Sequence, residues 1–227
     1  GKLIEQAEDI VLLGHFNPDG DAIGSTLGLY HYLADMRKKV CIIYPNECPA
    51  ATMIYLDGID YIIFSNGEKS ARYRIKHADL LICADFATYS RTCEQIEEYI
   101  NKNDCPKIMI DHHENPEHNG LLFSDPHASS TCELVYKILS SYDKTHITLS
   151  CATALYMGIC TDTGSFSHSC SRRDVFDVAA CLVEMGVDVA AIKRQVVDLS
   201  TENRLRLLGY VLKDKLKVFT EKGAAYM

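Results

Sequence analysis

The chain has 227 residues, of which 47% are hydrophobic and 24% charged, and its formal net charge is −8. That is enough for one sizeable domain or a domain plus a fragment, with a composition ordinary for a globular protein. The acidic balance excludes a surface built to coat long double-stranded DNA, because phosphate neutralisation needs Lys and Arg, and no apolar run approaches the ~20 residues of a membrane span. In chain order, an apolar run at 10–13 predicts the first strand. Residues 21–36 predict a helix, with Ile23, Leu27, Tyr30 and Leu33 at helical spacing. Strands follow at 40–44, 61–64 and 79–83, then a helix around 92–100, a strand at 107–110 and a short edge strand at 121–123. Ser130 and Glu133 form a capping box ahead of the apolar run 134–139. Helices are predicted at 148–160, at 174–185 closed by Gly186, at 189–197, and at 202–215 with Leu205, Leu208 and Leu212 on its apolar side. Strand-like runs at 216–219 and 224–227 end the sequence.

Strands alternating with helices predict an α/β fold: a mainly parallel sheet with helices on both faces, and a helical C-terminal part leading to a linker. Residues 1–200 are expected to form one domain, and 201–227 a linker helix and the start of a second domain. The ten cysteines include no Cys-x-x-Cys pair. Cys41, Cys83, Cys151, Cys160 and Cys181 sit in apolar runs and are expected to be buried free thiols, which suits a reducing cytoplasm. His31, His77, His118, His127 and His146 are read as surface or loop residues, while His168, near Asp162 in sequence, is left open.

Four widely separated motifs concentrate the acidic and imidazole side chains. They are His15-Phe16-Asn17-Pro18-Asp19-Gly20-Asp21, then Asp85 after 81–84, then Asp111-His112-His113, and Thr161-Asp162-Thr163-Gly164. Each has a plainer reading: Asp21 as a helix cap, Asp85 as a strand-end cap, Asp111 as the start of a polar loop, and Asp162 satisfied by Thr161 and Thr163. Together they need something more. Side chains at strand C-terminal ends share one crevice in an open α/β sheet, and carboxylates gathered there repel unless cations neutralise them. Imidazole with carboxylate suits a divalent ion such as Mn²⁺, and the donors are too many for one ion. No phosphate-binding loop, dinucleotide turn or nucleophile elbow competes.

These motifs, in this order, resemble those of the DHH phosphoesterase family. The specific parts are the His-x-Asn-x-Asp-x-Asp form followed by Ala22-Ile23-Gly24-Ser25, the Asp111-His112-His113 triplet, the Thr161-to-Gly164 segment, and Ala128-Ser129-Ser130-Thr131 with Glu133 and Leu134. Within the family the chain is most similar to oligoribonucleases and 3′-phosphoadenosine-5′-phosphate (pAp) phosphatases, which carry a smaller second domain. The resemblance implies that His15, Asp19 and Asp85 hold one ion. It implies that Asp21, His112 and Asp162 hold the other, with Asp85 bridging. His113 and Asn17 would face the substrate phosphate and Asp111 would orient a histidine. Two Mn²⁺ ions are implied, Mg²⁺ or Co²⁺ being substitutes, and the partner would be short RNA or a small phosphorylated nucleotide, with neither duplex DNA nor a membrane. A homodimer is compatible with this reading. Dinucleotides derived from cyclic dinucleotides, pyrophosphate or polyphosphate are alternative substrates. A non-catalytic metal- or nucleotide-sensing module is the contrasting class, and the complete ligand set argues against it.

Overall fold

The computed structural model describes residues 1–46, 56–65, 69–117, 120–194 and 202–226. The chain divides into a unit of residues 1–197 and a unit of residues 198–227. The first is built on a six-stranded, wholly parallel sheet: β1 (Asp9–Leu13), β2 (Lys39–Tyr44), β3 (Ile62–Phe64), β4 (Leu80–Ala84), β5 (Lys107–Asp111) and β6 (Leu121–Ser124). Their order across the sheet is β3-β2-β1-β4-β5-β6. Strand pleating sends alternate residues to opposite faces. Ile10, Leu12, Ile42, Ile82 and Ile110 join one core, while Val11, Leu13, Ile43, Leu81 and Met109 join the other. Both faces are therefore covered, as a parallel sheet requires. The uncharged strand β6 lies at the sheet edge with all four residues exposed.

One face carries α2 (Gly20–Asp35), α5 (Thr131–Asp143), α6 (Leu149–Asp162) and α7 (Arg173–Glu184). The other carries α3 (Lys69–His77) and α4 (Glu94–Lys102). Helices α2 and α6 pack closely because glycines line their contact. A Cβ on Gly24 would lie 2.6 Å from the Ala154 carbonyl oxygen, and one on Gly20 would strike the Thr161 side chain at 2.3 Å.

Most predicted elements are present within a residue or two. No sequence pattern marks α1 (Lys2–Gln6) or α3. Helix α3 offers only Ala71 and Ile75 to the core, and the rest of it is charged or exposed, so it carries too little apolar periodicity to be read. The helix expected at 189–197 is α8 (Val189–Ile192), and residues 195–197 lie outside the described residues, as does His118. Cys181 corrects an expectation: it is exposed, because α7 buries Val175, Val178, Ala179 and Leu182 and turns Cys181 outward. The nine cysteines among the described residues are all free. No helix among the described residues is long and apolar enough to cross a membrane.

In the second unit, α9 (Glu202–Tyr210) is followed by a widened turn at Val211–Lys215. The two predicted terminal strands, β7 (Lys217–Phe219) and β8 (Ala224–Tyr226), pair antiparallel with each other through a turn at Gly223.

Candidate metal centre

The strand order reverses beside β1, which has β2 on one side and β4 on the other. Chain leaving β1 enters α2 on one face, whereas chain leaving β4 leads to α4 on the opposite face. A crevice opens where such connections diverge, at the carboxyl ends of the strands. His15 follows β1, Asp85 follows β4, and Asp111 ends β5 with His112 and His113 just beyond. Asp19 and Asp21 stand at the start of α2, and Asp162 is the last residue of α6. The acidic and imidazole side chains of the motifs come together here, and Asn17 is exposed on the β1–α2 loop.

Asp85 lies at the centre and is 2% exposed. Its Oδ2 is 3.6 Å from His15 Nε2, and its Oδ1 is 3.8 Å from His112 Nε2. The two carboxylate oxygens thus face different histidines. Asp19 Oδ1 is 3.9 Å from His15 Nε2. On the other side, His112 Nε2 is 3.9 Å from Asp21 Oδ2 and 3.3 Å from Asp162 Oδ2. His15, Asp19 and Asp85 form one group that could hold an ion, and Asp21, His112 and Asp162 form a second. A third overlapping grouping joins Asp85, His112 and His113.

Backbone and neighbouring side chains fix these donors. Asp85 has a φ of 67°, a left-handed conformation that Asp tolerates better than most residues, and its N–H donates to the Ile110 carbonyl. Asp21 accepts from the N–H groups of Thr131 at 2.6 Å and Cys132 at 2.9 Å, so its carboxylate sits on the N-terminus of α5. The Thr131 hydroxyl donates to Asp85 Oδ1 at 2.8 Å. His113 Nδ1 lies 2.7 Å from Asp111 Oδ1, so Asp111 orients His113. The Asn17 side-chain carbonyl accepts from Asn46 Nδ2 at 2.9 Å, and Asn46 Oδ1 accepts from the Asn17 N–H at 2.7 Å.

The donor set fits divalent cations on its own chemistry. His15 Nδ1 is 2.8 Å from the Phe16 carbonyl oxygen, which can only accept. In the neutral ring that places the proton on Nδ1 and a lone pair on Nε2. This lone pair faces carboxylates beyond hydrogen-bonding distance, a repulsive arrangement unless a cation lies between. Ligand bonds of ~2.0–2.2 Å put neighbouring donors about 3–4 Å apart, the spacing found here. In the protein alone, burial and then the Asp21 and Asp19 charges hold the Asp85 carboxyl well above the usual range. The same causes push Asp162 up to about 8. The Asp111 hydrogen bond raises the His113 imidazole against an opposing effect of burial.

Two plainer readings of the sequence are corrected. Asp19, rather than Asp21, caps α2, its Oδ1 accepting from the N–H groups of Asp21 and Ala22. The Thr161 and Thr163 hydroxyls donate to the carbonyls of Gly158 and Ile159, and so leave Asp162 to other partners. Sequence reasoning assigned no role to Thr131 or Asn46. Thr131 stood within a quoted motif, whereas nothing local marks Asn46.

A family model described as the DHH family, N-terminal domain, matches residues 9–159. The chain is 30% identical over 210 residues to the bifunctional oligoribonuclease and PAP phosphatase NrnA of Thermus thermophilus, covering 89% of this chain and 58% of that protein. It is 29% identical over 205 residues to the cyclic-di-AMP phosphodiesterase GdpP of Bacillus subtilis, covering 85% of this chain and 30% of that one. A crystal structure of an exopolyphosphatase-related protein from Bacteroides fragilis superimposes with a TM-score of 0.93 at 36% identity, over 99% of this chain and 66% of its own. The chain spans less than two thirds of the length of each.

Proposed function

Because the chain belongs to the DHH family, we propose that it is a metal-dependent phosphoesterase hydrolysing short oligoribonucleotides or 3′-phosphoadenosine 5′-phosphate. Asp85 carries this reading: its two oxygens point to separate histidines, each within its own carboxylate group. His15, Asp19 and Asp85 would hold one divalent ion, and Asp21, His112 and Asp162 the other, with Asp85 bridging. The mixed imidazole and carboxylate set favours Mn²⁺, with Mg²⁺ or Co²⁺ as substitutes. Two ions bound there would lower the pKa of a shared water and offset charge on the phosphoryl oxygens.

The chain's own groups do the rest. His113 is half-exposed at the mouth of the crevice, and Asp111 holds its imidazole in place and favours its protonated form. It would donate a hydrogen bond to a phosphoryl oxygen as negative charge grows there. With its carbonyl taken by Asn46, Asn17 keeps its amide N–H groups for the phosphate. No covalent intermediate with a side chain is required. The nine cysteines among the described residues are unpaired, which suits a reducing compartment, and on that ground we propose that the chain is cytoplasmic.

The similarity to GdpP, a cyclic-di-AMP phosphodiesterase, favours one further reading, in which the substrate is a cyclic dinucleotide. Phosphate release from pAp or cleavage of a 5′-labelled dinucleotide tests the first reading and cleavage of cyclic di-AMP the second, each with and without Mn²⁺. Mn²⁺-dependent turnover of either is the expected result, and none on any phosphoester would overturn the assignment.

A further inference from the structure

A cavity of about 490 Å³ opens off the metal centre, with which it shares His112 and His113. That volume is in the range of small-molecule sites. Its walls are partly apolar, from Pro126, Ala128 and Val175. Of the charged side chains on its walls, Arg172 and Glu133 are already engaged, and Glu114 adds a carboxylate that repels an anion. Arg172 donates to Asp125 at 3.3 Å and to Asp174 at 3.0 Å, and Glu133 accepts from Lys137 and from the Ser129 N–H. Such a space is poorly equipped for a second phosphate and well suited to a neutral group with a few polar atoms.

One of its walls is Ser129, 4% exposed, and the Ser129 Oγ is buried with no hydrogen-bond partner among the described residues. A hydroxyl left so costs stability, and a satisfied alternative is the norm in folded proteins. The bond from the Ser129 N–H to Glu133 at 2.8 Å fixes the residue beside the cavity. A sugar joins its phosphorus through a single ester oxygen. With a nucleotide's phosphate at the metal centre, its sugar falls in the adjoining space, and ribose brings hydroxyls that both donate and accept.

We propose that this cavity receives the sugar of the reacting nucleotide, and that Ser129 Oγ hydrogen-bonds a ribose hydroxyl, setting a preference for ribonucleotides over deoxyribonucleotides. The proposal rests on the reading of the chain as a nucleotide phosphoesterase, and binding rather than turnover separates the two. Calorimetry on the whole chain with Mn²⁺ compares adenosine 5′-monophosphate with its 2′-deoxy and 3′-deoxy forms. The wild type should bind the ribose form about 5- to 10-fold more tightly than one of the deoxy forms, the worth of one neutral hydrogen bond. Ser129→Ala should erase that gap and melt at the same or a higher temperature, since it removes an unmet hydroxyl. Ser129→Thr should keep the gap. Equal affinities in the wild type, a gap that survives Ser129→Ala, no binding of any of the three nucleotides, or early melting of Ser129→Ala would each overturn the proposal. Hydrolysis of bis(4-nitrophenyl) phosphate, which has no sugar, tests the phosphoesterase reading apart from this: its absence beside an intact ribose preference would remove the activity and leave the sugar site standing.

Discussion

At the scale of single residues, the left-handed φ of 67° at Asp85 decides which substitution is informative. Asn accepts that conformation nearly as well as Asp, so Asp85→Asn removes the charge with little backbone strain. Calorimetry should show weakened binding of both Mn²⁺ ions. Activity should fall by more than about 10²-fold, since even residues behind the ligands contribute 10- to 100-fold; two ions bound at unchanged affinity would refute the bridge. His112 and His113 are neighbours with different surroundings, since Asp111 takes the Nδ1 of His113 while His112 Nε2 faces Asp21 and Asp162. His113→Ala is expected to lower turnover about 10²-fold at nearly constant Mn²⁺ affinity, and His112→Ala to lose both. Metal titrations showing the opposite pattern would exchange their roles. Asp162 predicts a pH effect on the chelated protein. Its folded pKa of about 8 exceeds the unfolded 3.8, so the folded state binds the extra proton. That contribution is complete below about pH 4 and disappears as pH rises through 8. Melting temperature in chelator should therefore fall between about pH 5 and 8, and Asp162→Asn should flatten the fall.

At the scale of elements, the contact between α2 and α6 sets how near Asp21 and Asp162 approach. Gly24→Ala places a methyl 2.6 Å from a backbone carbonyl that cannot rotate away. A loss of about 1–3 kcal/mol is expected, together with weaker Mn²⁺ binding. Gly209, in α9, has nothing within 4 Å of its Cβ position, so Gly209→Ala should be neutral or gain up to about 1 kcal/mol. Denaturant melts and calorimetry on the pair check both. The same elements show what the sequence could reveal. Central strands were legible because burial on both faces makes them continuous apolar runs, as at 10–13 and 107–110. The acidic and imidazole motifs were legible because each follows such a run or ends an uncharged helix. Helix α3 was hidden because two core residues, Ala71 and Ile75, anchor an otherwise basic segment. The cap at Asp19 and the bond from Thr131 to Asp85 were hidden for another reason. Both Asp19 and Asp21 are suitable caps by residue type, and Thr131 meets Asp85 across 46 positions of chain, which local spacing does not encode.

At the scale of the whole molecule, the strand order β3-β2-β1-β4-β5-β6 places the crevice between β1 and β4, away from either sheet edge. Six donors reach it from points as distant as His15 and Asp162. This arrangement has a kinetic consequence. A chain that has assembled only through β5 presents His15, Asp19, Asp21, Asp85 and His112, but lacks α6 and with it Asp162. The Thr131 and Cys132 N–H groups that steady Asp21 also come later in the chain. The full set of donors therefore comes together only once α6 has docked, too late to guide the search for the fold. Mn²⁺ should leave the refolding rate of the whole chain nearly unchanged and slow its unfolding, because contacts absent from the transition state act on the unfolding limb alone. Stopped-flow refolding and unfolding with and without Mn²⁺ will show this division, and a marked acceleration of refolding would mean that an ion joins the nucleus. On this account an ion bound at the proposed site would be a latch on a finished structure, and how long the folded chain survives, more than how fast it forms, should follow the supply of metal.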